Sequence, residues 1–276
     1  MNDGDVAPAL SFSDDLFDVV DAGRSICEGC CRPLPTCLCA AYPPQPIATR
    51  GAVVILRHPL ERRCALNTAP LLLRCLRQCF LLDGRSFVRG LHPIAGTLLD
   101  APPEHRPPIL LLYPTAEATD LRALCCEPAV VNRLRRHHDN RSGEDVGRPL
   151  PFAPNRFAYV LVVMDGTWAH TAEMVRASPD LVAAATPVRL ALSEEASCSS
   201  SESAELPFGP LGLRLQKDAH GMHTAEAVGR AVALLEVAAD ITAPAESDTV
   251  NLFLQTILSP LRLWVRKMQQ LAARGT

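Results

Sequence analysis

Lysine is almost missing from this sequence. Lys217 and Lys267 are the only two, so nearly all of its 27 basic residues are arginines. Aromatic residues make up 5% of the chain, and only two of them are tryptophan. No apolar stretch reaches the roughly 18–20 residues that a membrane-crossing helix needs, so no membrane partner is expected. The opening residues, MNDGDVAPALSFSDDLFDVVD, hold six acids and no basic residue. That is not the pattern of a secretory leader, and the expectation is an intracellular protein, cytoplasmic and/or nuclear. G-x-G-x-x-G, G-x-x-x-x-G-K-[ST] and G-x-S-x-G are all absent, which leaves a dinucleotide site, a P-loop and a serine nucleophile elbow without support.

What is present points elsewhere. The 276 residues are 48% hydrophobic, enough for one large core. The net charge of −3 is unevenly spread. Residues 1–21 carry six acids and residues 192–206 carry four, with no Lys or Arg in either. Setting those ten aside leaves 20 acids against 27 basic residues, a body near +7. Arginine-dominated positive charge suits phosphate recognition, and it also follows from a GC-rich coding sequence.

Eleven cysteines, an odd number, fit free thiols or a metal site better than a disulfide framework. CEGCCRPLPTCLC spaces Cys27, Cys30, Cys37 and Cys39 as C-x2-C-x6-C-x-C. Four thiolates on so short and Pro-rich a segment predict a structural zinc, with Cys31 outside the shell. The six cysteines from Cys64 onward sit at apolar positions and are expected to pack as small hydrophobes.

The pattern along the chain alternates strand and helix from Gly51, which predicts an α/β fold with a mainly parallel sheet flanked by helices. GAVVILR, CFLLDG, ILLLY, AYVLVVM and PVRLAL read as strands. NTAPLLLRCLRQ, TAEATDLRALCC, roughly 169–178 and TAEAVGRAVALLEVAAD, opening at Thr224, read as helices. NLFLQTILSPLRLWVRKMQQL reads as a helix interrupted or restarted near Pro260. Residues 1–24 read as a disordered acidic tail, 25–46 as the zinc segment and 47–276 as the catalytic domain. Polar insertions at 137–156 and 193–205 are placed outside its core.

VVMDGTWAH raises a sharper question, because a buried-looking strand ends abruptly in an acid, a glycine, a hydroxyl and a tryptophan. An acid at the carboxyl end of a buried parallel strand stands where open α/β sheets bind ligands. Alternatively, Asp165 or Thr167 caps the next helix and Trp168 fills the core. RHPLERR places Arg57, His58, Arg62 and Arg63 at the end of the first strand with Asn67 beyond. They either hold RNA phosphates or form a solvated face. YPTAEA and HGMHTAEA supply two further loops, the second at a helix N-terminus that favours an anion.

Taken in order, CEGCCRPLPTCLC, ILRHPLERRCALNTAPLL, LLLYPTAEATDL, VVMDGTW and HTAEAVGRAVALLE resemble the DTW-domain proteins, the tRNA-uridine aminocarboxypropyltransferases. The resemblance runs from about Cys27 to Trp264. It looks closest to the eukaryotic type-2 branch, on the wording of LYPTAEA, DGTW and the ILSPL helix. It implies transfer of the 3-amino-3-carboxypropyl group of S-adenosylmethionine to N3 of a tRNA uridine. It also implies a SPOUT-like fold with a C-terminal knot, a topology that is otherwise rare. On that footing Asp165 accepts the N3 proton or orients base or cofactor, Thr167 donates a hydrogen bond, and Trp168 stacks on adenine or uracil. Tyr113, Pro114, Thr115, Gly166, Thr224 and Glu226 line the cofactor pocket, and Arg214 joins the RNA-contacting set. Two departures stand out. The family's S-T-L-E-A loop is here His223-Thr224-Ala225-Glu226-Ala227, and Thr171 replaces a small residue after the tryptophan. The competing expectations are a SPOUT-type RNA methyltransferase and an inactive zinc-stabilised RNA-binding protein.

Overall fold

A computed structural model describes residues 25–64, 67–136, 152–190, 223–239 and 247–274. Its centre is a six-stranded, all-parallel sheet: β1 (Ala52–Arg57), β2 (Cys79–Asp83), β3 (Ile109–Leu112), β4 (Thr119–Asp120), β5 (Val160–Asp165) and β6 (Thr186–Arg189). The order is β2-β1-β5-β3-β6-β4. β1 and β5 are buried along their whole length, as their unbroken apolar runs require.

Period-two alternation sends neighbouring side chains to opposite faces, and each face has its own helical layer. Val53, Ile55, Leu161 and Val163 face α1 (Ala69–Cys75), α4 (Pro128–Arg136), α7 (Thr224–Ala239) and α8 (Ser247–Arg274). Val54, Leu56, Val160, Val162 and Met164 face α2 (Pro93–Asp100), α5 (Trp168–Arg176) and α6 (Pro179–Ala184). The expected α/β class is observed. Residues 191–222, between β6 and α7, lie outside the described residues, and the acidic tail and the 193–205 insertion with them.

Four expectations need correction. TAEATDLRALCC is not one helix. Thr119–Asp120 pairs with β6, and Asp120 then caps the short α3 (Leu121–Leu124) by accepting from the Ala123 N–H at 3.1 Å. α8 runs unbroken through Pro260. A mid-helix proline costs about 3 kcal/mol, but Leu254, Ile257, Leu258, Leu261, Trp264 and Val265 are buried along this helix. At roughly 1.5–3 kcal/mol each, they outweigh the break. The end of the 137–156 insertion belongs to the core: Pro154 is buried, and the Phe152 ring meets Phe80 edge-on at 5.3 Å. Cysteines do not all pack inside. Cys75 is buried and its thiol pushed up to about 12 by desolvation, whereas Cys126 is exposed.

The Cys-rich segment folds as two 3-10 turns, Leu34–Thr36 and Cys39–Ala41, against α8. Leu38 is fully buried in the same cluster as α7 and α8. The Arg32 guanidinium lies 4.9 Å from the centre of the Trp264 ring, and the Lys267 ammonium donates to the Pro35 carbonyl at 3.1 Å.

Candidate functional site

The carboxyl ends of β2, β1 and β5 are in register, so Asp83, Arg57 and Asp165 stand in one row. Strand parity gives all three to the α1/α7 face. At one end of the row the Arg57 guanidinium forks onto Asp83, Nε to Oδ1 at 2.7 Å and Nη2 to Oδ2 at 2.9 Å. With 3% of its surface exposed and two of its nitrogens on Asp83, Arg57 is a buried strut between β1 and β2.

Asp165 takes its partners from helix starts. The Asn67 amide donates to Oδ2 at 2.7 Å, and the Thr224 hydroxyl donates to Oδ1 at 2.6 Å. Asn67 is itself fixed: its Oδ1 accepts from the Ala69 N–H at 2.9 Å, and its amide also reaches the Glu61 carbonyl at 3.3 Å. Thr68 completes the junction by accepting from the Ala225 N–H at 3.1 Å, which caps α7 from a residue 157 positions away. Asp165 is 5% exposed. Burial raises its pKa above the usual carboxylate value, while the hydrogen bonds from Thr224 and Asn67 pull it back down. The result is a carboxyl group held by two neutral donors, with a stronger appetite for a proton than a surface acid has.

Gly166 turns the chain out of β5. A Cβ there would come within 3.1 Å of the His170 Cβ and 3.4 Å of the His58 Cβ. Thr167 settles the capping question, since its Oγ1 accepts from the His170 N–H at 3.3 Å as the N-cap of α5. Trp168 does not fill the core; 60% of it is exposed. Thr171 is buried and donates to the Trp168 carbonyl at 3.0 Å. An exposed indole in the first turn beside a buried acid leaves a flat apolar face for a ligand.

His58 lies on the opposite face from Asp165, fully buried, its ring stacked on His170 at 3.9 Å and 9°. Its Nδ1 accepts from the Leu60 N–H at 3.3 Å. Burial, then the neighbouring imidazole, lowers its pKa and keeps it neutral. Of the arginine cluster, Arg62 and Arg63 are exposed. Arg214 lies outside the described residues. Tyr113 and Thr115 are half-buried and Pro114 is exposed on the loop after β3, the strand beside β5. Glu226 is buried in the first turn of α7. His223, where the family has serine, is buried, and its carbonyl accepts from the Ala227 N–H. Sequence reading missed Asn67 as the partner of Asp165 and the His58–His170 stack. The one visible signal for the first is the Asn-Thr pair ahead of a helix; the sequence pointed Asn67 toward RNA instead.

Cys27, Cys30, Cys37 and Cys39 form a second cluster, their sulfurs all within 4.8 Å of one another. The separations Cys27–Cys37, Cys27–Cys39 and Cys30–Cys37 are 3.4, 3.6 and 3.7 Å. A tetrahedral zinc with arms of about 2.3 Å sets its sulfurs about 3.8 Å apart, so this cage fits a metal ion. Position 29 leaves no room for a side chain, because a Cβ there would lie 2.7 Å from the Cys39 sulfur. Backbone N–H groups of the loop, Cys30's foremost, hold Cys27 down to about 6, and its hydrogen bond drives Cys39 up to about 12. Cys31, with φ of 54°, stays out of the cage.

Comparison with known sequences gives one consistent answer. The DTW domain profile matches residues 24–267. A tRNA-uridine aminocarboxypropyltransferase A of Arabidopsis thaliana is 32% identical over 214 residues, 77% of this chain and 73% of that protein. A tRNA-uridine aminocarboxypropyltransferase 2 of Drosophila melanogaster is 30% identical over 161 residues, 57% of this chain and 51% of that one. No solved structure matches. No helix among the described residues is long and apolar enough to cross a membrane.

Proposed function

The chain belongs to the DTW-domain family, and on that premise we propose that it is a transferase that modifies uridine in tRNA, moving the 3-amino-3-carboxypropyl group of S-adenosylmethionine to uridine N3. The observation that carries this reading is Asp165, a buried acid held by Asn67 and Thr224 at the sheet edge beside an exposed tryptophan.

Uridine N3 carries a proton and is a poor nucleophile until that proton leaves. Asp165 takes it, because a desolvated carboxylate accepts a proton more readily than a surface one. When bound, the sulfonium supplies an electrophilic carbon and departs as a neutral thioether, so N3 gains a carbon as the carbon–sulfur bond breaks. Asn67 and Thr224 fix the direction of the Asp165 oxygens, which sets the approach of the base. Trp168 stacks on a base, and the Thr167 hydroxyl keeps its hydrogen for donation because the cap uses only its oxygen. Tyr113, Pro114, Thr115, Gly166, Thr224 and Glu226 enclose the co-substrate. Arg62 and Arg63 meet RNA phosphates beyond the end of β1.

We assign a structural zinc to the four thiols, whose spacing supports it. Residues 25–46 then act as a metal-organised buttress for α8, and residues 47–276 as the catalytic domain. A SPOUT-like knot is proposed on the family resemblance.

The test is nucleoside mass spectrometry of unmodified tRNA incubated with the protein and S-adenosylmethionine. A uridine carrying the aminocarboxypropyl mass, absent with Asp165→Ala, supports the reading. A methylated uridine overturns the group transferred, and tRNA binding without any modified uridine overturns catalysis.

A further inference from the structure

Arg57, Arg85, Arg89 and Arg230 each meet a carboxylate. On the face made by the Cys-rich segment, the end of α1 and α8, the pattern changes. The Arg32 guanidinium lies on the Trp264 ring at 4.9 Å, and that of Arg74 on the Tyr42 ring at 5.2 Å. Neither of them, nor Arg266, has a carboxylate partner among the described residues. The sequence supplies few candidates. Residues 25–46 hold one acid, Glu28, residues 62–82 hold none, and the chain has none after Asp248.

These cations share one place. Burial pushes the Tyr42 hydroxyl up to about 12, and the charges of Arg32 and Arg74 pull against that rise, so both stand near it. A groove of about 340 Å³ between Tyr42 and α8 is lined by Tyr42, Gln255, Thr256, Ser259 and Arg262. Gln255, Ser259, Arg262, Arg266 and Gln269 recur at intervals of four and three, which sets them in one stripe along α8 with no negative charge in it. Arg262 and Arg266 stand one turn apart on that stripe and repel each other. Burial, then the charge of Arg266, lowers the Arg262 pKa. Arg74 and Arg266 are exposed, and Arg262 is half-buried.

α1 ties this face to the site. Asn67 and Thr68, at its start, hold Asp165 and the first turn of α7, and Arg74 lies in its last turn, about 10 Å along the axis. A guanidinium laid flat on a ring keeps its in-plane N–H groups for phosphate oxygens. Like charges gathered without acids are complementary to a polyanion with regularly spaced phosphates.

We infer that Arg74, Arg262 and Arg266, around Tyr42, bind the sugar–phosphate backbone of tRNA as a second anchor apart from the uridine site. The inference rests on the function proposed above and adds where the body of the substrate is held. Phosphate contacts fix position and carry no base information. This anchor therefore serves all tRNAs alike and leaves selection of the uridine to the site at Asp165.

The experiment is titration of two unmodified tRNAs of different sequence with the full chain over a range of salt concentrations, with nucleoside mass spectrometry alongside. Combining Arg74→Gln, Arg262→Gln and Arg266→Gln should weaken binding by about 10- to 100-fold and flatten the salt slope of log Kd by about 2 to 3. Both tRNAs should lose equally, and the melting temperature should hold. Lys at the same three positions keeps the charge and should restore most of the slope. Arg266→Gln alone, on an exposed side chain, should flatten the slope by just under 1. Unchanged affinity and slope overturn the inference, as does a loss confined to one tRNA. Unchanged affinity with altered sedimentation gives the face to a second copy of this chain and overturns it too. Loss of binding in the triple variant, with no uridine modified by the wild type, keeps this anchor and overturns the function. Full binding by the triple variant, with uridine modified by the wild type, does the reverse.

Discussion

Asn67 and Asp165, 98 positions apart, are joined by a 2.7 Å hydrogen bond in which the amide has no freedom to turn away. Its oxygen is committed to the Ala69 N–H, so its nitrogen must face the carboxylate. The geometry of Asp165 is therefore set by the first turn of α1 as much as by its own strand. Replacing Asn67 with Ala should cost about 2 kcal/mol of stability and lower kcat by about 10- to 100-fold. Thermal melting and single-turnover nucleoside analysis check it; unchanged turnover with lowered stability would reduce Asn67 to a helix cap.

The pH profile should carry the signature of Asp165. Its folded pKa lies above its unfolded value, so the acid limb of kcat/KM should fall at a pH above the ordinary carboxylate range. Thr224 lowers that pKa, so Thr224→Val should move the limb to still higher pH. The stability linkage has the matching sign. A raised folded pKa favours folding below the unfolded pKa, and that advantage is lost as pH rises through the folded one. Asp165→Asn should thus gain stability over the wild type at neutral pH and lose the gain in acid, while abolishing turnover. Melting curves at both pH values decide it.

Trp168 should matter for substrate and little for folding, because most of its surface is already in water. Trp168→Ala should leave the melting temperature within about a degree and raise KM for tRNA by about 5- to 100-fold, the worth of one stacked base. Trp168→Phe should recover most of the loss. A large drop in melting temperature would return the indole to a packing role.

Loss of the metal should be felt at α8. Chelation, or Cys27→Ser with Cys39→Ser, should lower the melting temperature by about 5 °C or more and speed hydrogen exchange around Trp264. The Arg32–Trp264 and Lys267–Pro35 contacts route the effect there. Purified protein without a stoichiometric metal, or exchange that rises only within residues 27–39, would refute the buttress.

Much of this was legible in the sequence, for identifiable reasons. β1 and β5 could be read because a strand covered on both faces cannot alternate, and the four-cysteine cage could be read because its spacing is local. The identity of the acid at the end of β5 was visible for the same reason. What escaped depends on register between distant strands. RHPLERR looks like one basic surface, yet strand parity turns Arg57 inward to Asp83 and His58 to the other face against His170. Only Arg62 and Arg63 remain outside. PIAGTLLD carries no clear helical signal in the sequence, since it holds both Pro93 and Gly96. Pro93 in fact opens α2, where its missing N–H costs nothing, and Ile94, Ala95, Leu98 and Leu99 bury its inner face.

The seating of the thiol cage on α8 also has a bearing on time. Pro35 and the Lys267 side chain that grips it are 232 residues apart. At roughly 5–20 residues per second on the ribosome, the cage waits about 10–50 s for its seat to be made. During that interval its seat on α8 is missing, and reduced thiols on a partly supported loop are more open to oxidation and mispairing. A bound ion would hold the shape and shield the sulfurs over the same period. With a metal in the cage, its supply during synthesis, and not only its affinity for the finished protein, would bear on how much of the chain reaches its final form.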